Sequence, residues 1–347
     1  MTQNERKMRI GILGAGGVAK DLHLPVLINM PEVSVTWLCD KDKKRAQQLA
    51  KLFRIPAVFA DIEQCRDVDI VLVAIPVGYR GPVMQSIFRR GWHAFCEKPF
   101  AISLKEHDQY LEEAQKHNLQ IGIGLVRRFC PATIMAKKIV SQGFFGPITR
   151  VWASEGFRTK RTGQDASWYM GDPKIAGGGV LMEIGSHLVD QLCTIFDVTR
   201  FKVGKCIQRT FNKLEFETRF VGSISNKHQQ EIPCTFEVSR IEDLCNGIFI
   251  QYSDFILKCG LFFEDSLELL TLKGDHVVRF EINDGAKTIG QAFFLEWQDF
   301  IDQCISGSPS YVGADTARHS TAIIEQCYSS AELIDIDNNN IKVFKNG

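Results

Sequence analysis

Lys98 stands in AFCEKPF, residues 94–100, directly after an apolar run. An ammonium group at such a point can donate hydrogen bonds to a hydroxyl and stabilise negative charge developing on an oxygen. Glu183, His187 and Asp190 lie within GGGVLMEIGSHLVDQL, residues 177–192. Glu183 and His187 are one helical turn apart and Asp190 is three residues further, so one helix face can carry all three. Leu181, Ile184, Leu188 and Leu192 then form the apolar side. A histidine with a carboxylate one turn away can be held in one tautomer, which suits a general acid or base. For an isolated histidine, the competing reading is a solvated polar face.

A second kind of chemistry is written near the start. RIGILGAGGVAKDLHLP contains Gly14, Gly16, Gly17, Val18 and Ala19 in a GxGxxA arrangement. Gly14 permits the tight turn out of a strand, Gly16 lets backbone approach a pyrophosphate, and Ala19 keeps the following helix close to the sheet. Asp40 ends the next strand at the usual distance, about twenty residues on, where a carboxylate accepts from ribose hydroxyls. That carboxylate would repel a 2′-phosphate and favours NAD over NADP. Lys41, Lys43, Lys44 and Arg45 pull the other way. An N-cap without any ligand is the bland reading of Asp40.

The elements that must position these residues follow from the apolar pattern. MRIGIL, VSVTWLC, DIVLVAI, HAFC and LQIGIGL are runs of strand length within the first 125 residues. Amphipathic stretches at 42–53, 82–91 and 104–117 separate them. Strands that are apolar throughout and alternate with helices predict a parallel sheet covered on both faces. Ligands of such sheets sit outside the carboxyl ends of the strands, and Lys98, Glu97 and Pro76 occupy those ends. After residue 125 the texture changes. A helix at 131–143 leads to alternating runs such as KVGKCI, TFEVSRI, GIFIQYS and SLELLTL, which predict an antiparallel sheet open on one face. Helices at 292–306 and 315–333 close the pattern. The expected organisation is a doubly wound Rossmann domain over 1–125 and an α+β domain over 126–347 for substrate binding and oligomerisation.

Composition narrows the class. Of 347 residues, 45% are apolar, and 41 basic residues balance 41 acidic ones, so no nucleic-acid or membrane-surface footprint is expected. The polar start MTQNERKMRI does not read as a secretory leader, and the chain is expected to be cytoplasmic. The 11 cysteines show no CxxC pair and the 8 histidines no HExxH pattern, so reduced thiols and no metal are expected.

GILGAGGVAKDLHLP, WLCDKDKKRA, CEKP and GGGVLMEIGSHLVD, in this order and spacing, resemble the Gfo/Idh/MocA family of NAD(P)-dependent sugar and cyclitol oxidoreductases. The likeness covers nearly the whole chain, including SWYMGDPKIAGGG and the final helices. It implies that Lys98 and His187 face the nicotinamide and the reacting carbon. His187 would accept the proton in oxidation, Lys98 would be its charge partner and Glu183 would orient it. The substrate would be a polyol, sugar or sugar nucleotide, and the chain would form homodimers or homotetramers through its second sheet. Two related outcomes are transient oxidation by held NAD during glycoside cleavage, and an NAD-binding regulator without turnover. Two positions depart from the family. Glu183 replaces an aspartate, and Arg80 stands where a histidine is usual. Arg80 could hold a substrate carboxylate or phosphate, or simply face solvent. Arg127 and Arg128 lie where the chain passes between domains, and Arg128 is a candidate substrate contact. Trp168 and Tyr169 could wall a sugar ring, or pack in a core.

Overall fold

A computed structural model describes residues 6–158, 172–228, 230–263 and 266–336. The chain divides into two compact units. The first contains six parallel strands: β1 (Met8–Leu13), β2 (Val33–Cys39), β3 (Ala57–Phe59), β4 (Ile70–Val73), β5 (His93–Cys96) and β6 (Ile121–Ile123). Their order across the sheet is β3-β2-β1-β4-β5-β6. The order reverses between β1 and β4, which opens a crevice at their carboxyl ends. β4 is buried along its whole length, and β5 from its second residue. Burial on both faces explains why these strands read as continuous apolar runs.

Helices fill the crossovers as the spacing predicts. Lys43–Phe53 begins at Asp42, whose side chain accepts from the Arg45 N–H at 3.0 Å, and ends at Arg54 in the left-handed region. Arg80–Arg89 and Leu104–Lys116 follow. The first unit does not stop near residue 125, however. Residues Thr288–Ala317 return to it. The helix Ile289–Ser306 stacks Trp297 on Phe95 of β5, with ring centroids 4.4 Å apart, and sets Phe300 edge-on to the same ring. The apolar face of β5 needs that cover, and the residues that supply it lie just over two hundred positions away.

The second unit holds a nine-stranded sheet: β7 (Arg150–Gly156), β8 (Arg200–Phe211), β9 (Leu214–Ser225), β10 (Glu231–Ser239), β11 (Gly247–Gln251), β12 (Phe255–Cys259), β13 (Ser266–Thr271), β14 (His276–Glu281) and β15 (Ala331–Asp335). The order is β14-β13-β12-β11-β7-β10-β9-β8-β15, antiparallel except for the β7–β10 and β8–β15 pairs. The helices Pro131–Gln142, Ser186–Phe196 and Arg318–Ser330 contribute to one large core with the sheet's inner residues. A smaller apolar group forms where Trp152 stacks on Phe249 at 4.9 Å, with Ile256 and Leu270 beside them. Arg219 meanwhile reaches Glu217, Glu237 and Glu242 at 3.1, 2.8 and 2.9 Å. The helix expected to run to residue 333 ends at Ser330 instead, and β15 begins at once, pairing Ala331 with Cys206 of β8. An edge strand with unpaired backbone groups captures the chain there. All 11 cysteines are free thiols. Among the described residues, no helix is long and apolar enough to cross a membrane.

Close approach of β1 and β2 depends on Gly11. A Cβ there would lie 2.1 to 2.4 Å from the buried ring of Trp37. Gly11→Ala is expected to cost about 1–3 kcal/mol through overpacking, read as a lower midpoint in urea denaturation. An unchanged midpoint would mean that Trp37 moves aside freely.

Candidate active site

The glycine turn after β1 is shaped by its neighbours. Gly14 has φ 104°, and a Cβ on it would come within 2.3 Å of the Ala74 carbonyl oxygen at the end of β4. The turn is tied down on both sides, by Gly14 N–H to the Cys39 carbonyl and Ala74 N–H to the Leu13 carbonyl, both at 2.8 Å. Gly16 is different. A Cβ on it would meet nothing within 4 Å. Its small size is therefore not required by protein packing, and it leaves open space over the turn, as a dinucleotide cradle needs. Gly17 is exposed, Val18 half-buried, and the helix beyond contains a π turn at Ala19–His23.

Asp40 joins this cradle, but not as a free acceptor. Its Oδ2 accepts the Ala15 N–H at 2.7 Å, and its Oδ1 accepts the Asp42 N–H at 2.8 Å. The Arg45 guanidinium meets both oxygens, at 3.0 and 2.9 Å. Asp40 thus orders the glycine turn directly, and ribose hydroxyls would have to share the carboxylate with Arg45 or displace it. The Arg45 side chain is 53% exposed, so it is free to swing aside. Lys41 lies over the Tyr79 ring at 5.2 Å.

At the end of β5 the chain places Glu97 and Lys98. Glu97 is 8% exposed. Its Oε1 accepts from His23 Nε2 at 2.8 Å, and its Oε2 accepts the Lys98 main-chain N–H at 3.2 Å. Burial pushes this carboxyl upward. The His23 hydrogen bond, with the positive charges of Lys98 and Arg80, outweighs that and holds it below the usual carboxylate range. Lys98 is half-buried, and Pro76, at the end of β4, is likewise half-buried and starts a short turn over Val77–Tyr79.

Arg80 corrects both readings made of it. It is 2% exposed, and its guanidinium donates to the Ile75 carbonyl at 3.2 and 3.0 Å and to the carbonyls of Pro99 and Phe100. It neither faces solvent nor stands open to a substrate anion. Instead it clamps the segments following β4 and β5. Burial lowers its pKa, and the nearby Glu97 charge opposes this.

In the second unit, the stretch from Val180 to Phe196 is buried at every residue except Glu183 and His187. These two are half-buried and one turn apart, on a π turn at Leu181–Gly185 and the α-helix that continues it. Asp190 does not share their face. It is 2% exposed and is held by Arg128, with Nε to Oδ2 at 2.8 Å and Nη2 to Oδ1 at 2.6 Å, and by the Ser320 hydroxyl at 3.1 Å. Arg128, a candidate substrate contact in the sequence, is itself 3% exposed, because a buried guanidinium requires a buried counter-charge. Arg127 pairs with Glu155 in the same way, at 2.6 and 2.8 Å. The carboxylate of Glu183 is engaged by Arg240, at 2.6 Å through Nη2 and 3.2 Å through Nε.

Two residues of the triple glycine are required by packing. A Cβ on Gly178 would lie 2.0 Å from the Tyr328 hydroxyl, and one on Gly179 would lie 2.1 Å from the Glu215 carbonyl oxygen. Both sites are filled by protein rather than left flexible for a ligand. Glu215 is almost wholly buried, and it accepts the Gly179 N–H at 2.8 and 2.9 Å, the Leu181 N–H at 3.1 Å and the Tyr328 hydroxyl at 2.6 Å. Burial pushes its carboxyl up while these donors pull it back. Together they pin the start of the helix that presents Glu183 and His187. Glu215, Tyr328, Arg240, His23 and Trp297 carried no local signal in the sequence, since each acts on a distant segment. Trp168 and Tyr169 lie outside the described residues.

The family described as "Oxidoreductase family, NAD-binding Rossmann fold" matches residues 8–125, and the "GFO/IDH/MocA C-terminal domain" matches residues 133–245. An uncharacterized oxidoreductase of Schizosaccharomyces pombe is 26% identical over 219 residues, covering 61% of this chain and 59% of that protein. The chain thus spans about three fifths of the length of the curated relatives it matches first. A 3-ketoreductase from Actinomadura kijaniata, solved with NADP and TDP-benzene, superposes with a TM-score of 0.82 at 16% identity, covering 96% of this chain and 100% of that one. Levoglucosan dehydrogenase, solved with NADH and levoglucosan, gives 0.79 at 17% identity over 94% of this chain and 97% of that one. Both likenesses establish the fold.

The Glu97 ties have a pH signature. Its carboxyl sits lower in the folded chain than in the unfolded one, where about 4.3 is usual, so the stability it contributes is complete above that value. That contribution fades as pH falls through the lower folded value. Glu97→Gln is therefore expected to be less stable than the parent at neutral pH, with a gap that narrows in acid. Urea denaturation of both proteins across the acid range reads this directly, and a gap independent of pH would refute it.

Proposed function

Because this chain belongs to the Gfo/Idh/MocA oxidoreductases, we propose that it moves a hydride between a nicotinamide cofactor and a secondary alcohol or ketone carbon. The proposed substrate class is a sugar, cyclitol or sugar nucleotide. The activities of two proteins of similar fold, a 3-ketoreductase and a levoglucosan dehydrogenase, support that class. One observation of this chain carries the reading most strongly. In a helix otherwise buried throughout, Glu183 and His187 alone stay half-open, one turn apart, Glu183 within a π turn of the kind that recurs at functional sites and His187 just beyond it.

The residues around the open space at Gly16 fit a dinucleotide, and bound NAD would supply the hydride acceptor or donor. Gly14, Gly16, Gly17 and Val18 would lie along its pyrophosphate, and Asp40 would take the ribose. Pro76, Glu97 and Lys98 would border the nicotinamide half. His187 would take the proton from the substrate hydroxyl in oxidation and return it in reduction. Lys98 would hold the same oxygen and stabilise its developing charge. General acid–base assistance of this kind contributes about 10²–10⁴-fold. Glu183, itself paired with Arg240, would orient His187 one turn further along. The same reading carries the expected self-association through the sheet face that bears Trp152 and Phe249, which light scattering would test.

His187→Ala and Lys98→Ala are each expected to lower kcat by at least about 10²-fold while NAD affinity stays within a few-fold of the parent. The measurement is reduced-nicotinamide absorbance in a screen of sugars and sugar nucleotides, with cofactor titration by fluorescence. Near-normal turnover in His187→Ala would end this assignment of the proton acceptor.

Cofactor choice is expected to follow Asp40 and Arg45. The parent should bind NAD more tightly than NADP, and Arg45→Ala should widen the difference by removing the cation that competes with the ribose for Asp40. A parent that prefers NADP would show that Arg45 and its lysine neighbours dominate.

A further inference from the structure

The segment carrying Lys98 is the end point of a directed chain of hydrogen bonds that begins on the helix Ile289–Ser306. Trp297 on that helix is fully buried, and its indole N–H donates to His23 Nδ1 at 2.9 Å. An indole nitrogen can only donate, so Nδ1 accepts and Nε2 carries the hydrogen that goes to Glu97 Oε1, at 2.8 Å. Glu97 Oε2 then accepts the main-chain N–H of Lys98 at 3.2 Å. Each link has one possible direction. The His23 ring is 0% exposed and is held edge-on by Phe95, Phe293 and Trp297, at 5.9, 4.7 and 5.8 Å. On the far side, a Cβ added to Gly124 would stand 3.0 Å from Glu97 Oε1, so backbone closes in on the carboxylate there.

We infer that Trp297 and His23 are positioning residues for the Lys98 ammonium, acting through the Glu97 carboxylate. This rests on the role of Lys98 in the proposed reaction. Packing alone does not call for such a chain. An apolar pair would fill the same volume without removing an indole N–H, an imidazole and a carboxylate from water. The specific consequence of the Trp297 donor is to fix which His23 nitrogen faces Glu97 with a hydrogen. Without it, the other tautomer becomes available and presents a lone pair to the carboxylate. Glu97 would then turn away and release the Lys98 backbone. A shift of the order of an ångström at a reacting group can cost about 10²-fold in rate.

A neighbouring carboxyl provides an internal control. Glu296 precedes Trp297 on the same helix, is 0% exposed, and has no hydrogen-bond partner for either oxygen among the described residues. Burial, with the nearby Glu97 charge, pushes its carboxyl well above the usual carboxylate range. Glu296→Gln keeps the shape of the side chain and leaves the chain of hydrogen bonds from Trp297 to Glu97 intact.

The test uses the full chain with Trp297→Phe, which keeps an aromatic ring against Phe95, and with His23→Leu, His23→Gln and Glu296→Gln. Two quantities are read. One is steady-state turnover. The other is the reactivity of Lys98 toward acetic anhydride across pH, followed by mass spectrometry of its peptide. Trp297→Phe and His23→Leu should lower kcat about tenfold or more with little change in KM or NAD affinity, and should alter Lys98 reactivity. His23→Gln, whose amide can still donate to Glu97, should recover most of the loss. Glu296→Gln should stay within about twofold of the parent in both readings.

Parental kcat and parental Lys98 reactivity in Trp297→Phe would overturn the inference. So would a fall in kcat with Lys98 reactivity unchanged, or a loss in Glu296→Gln as large as that in Trp297→Phe. If the parent turns over no sugar at all, the proposed function fails, yet Lys98 reactivity still decides this point. A change in Trp297→Phe sustains the chain of hydrogen bonds, and no change ends it.

Discussion

A carboxylate taken out of water must be met by donors or by positive charge, and the geometry around Glu97 follows from that requirement. Its two oxygens are served from different parts of the chain, by His23 on the helix after β1 and by the Lys98 backbone that follows it. Arg80 answers from the same buried corner with a guanidinium bound to carbonyls beyond β4 and β5. The two charges stabilise one another: Arg80 helps hold the Glu97 carboxyl down, and Glu97 opposes the loss of the Arg80 proton. Strand ends at the switch point of a doubly wound sheet are ordinarily where loops gain freedom. Here they are fixed by buried ionic groups, so Lys98 projects from a rigid base.

The second unit solves its own version of the problem. Arg127 with Glu155, and Arg128 with Asp190, are pairs of nearly inaccessible charges. Replacing such pairs with apolar residues is often neutral, but removing one partner leaves an uncompensated buried charge and costs about 3–5 kcal/mol. These pairs therefore constrain more than they stabilise. Asp190 ties the helix Ser186–Phe196 to the segment after β6 and, through Ser320, to the helix Arg318–Ser330. Glu215 fixes the opposite end of the same structure by gathering three backbone donor contacts and one phenol. A helix held at both ends cannot rotate, and Glu183 and His187 stay where the packing leaves them open.

What could be read from the sequence was local. The glycine turn, Asp40 beyond β2, Lys98 after an apolar strand and the Glu183–His187 pair are each defined by neighbours within a few residues. The alternation of strands and helices fixed the fold class for the same reason. What was misread depended on distant partners. Arg80 and Arg128 look like ligand-binding arginines until Phe100 and Asp190 are placed beside them. Nothing local explains Gly178 and Gly179 either, until Tyr328 and Glu215 fill the space above them. The helix at 289–306 has a clear amphipathic pattern, but nothing in its own residues says that its apolar face belongs to β5. The strand at 331–335 was hidden by a helical pattern that ran into it, since an edge strand's need for a partner is a property of β8.

One feature unites the two units. Each begins its functional helix with a π turn, at Ala19–His23 and at Leu181–Gly185. A π turn carries an extra residue in one turn and shifts the side chains beyond it around the helix axis, relative to a regular α-helix. In the first unit the helix starts with the exposed Gly17 and, six residues on, delivers His23 fully inside to Glu97. In the second, the turn lies between the glycines that Glu215 pins and the long buried helix, and Glu183 is within it. A regular helix would be the more stable local choice at both places, because the ordinary hydrogen-bond register is the better one. Local regularity gives way where a side chain must reach a specific partner, and here those side chains are the ones nearest the candidate chemistry.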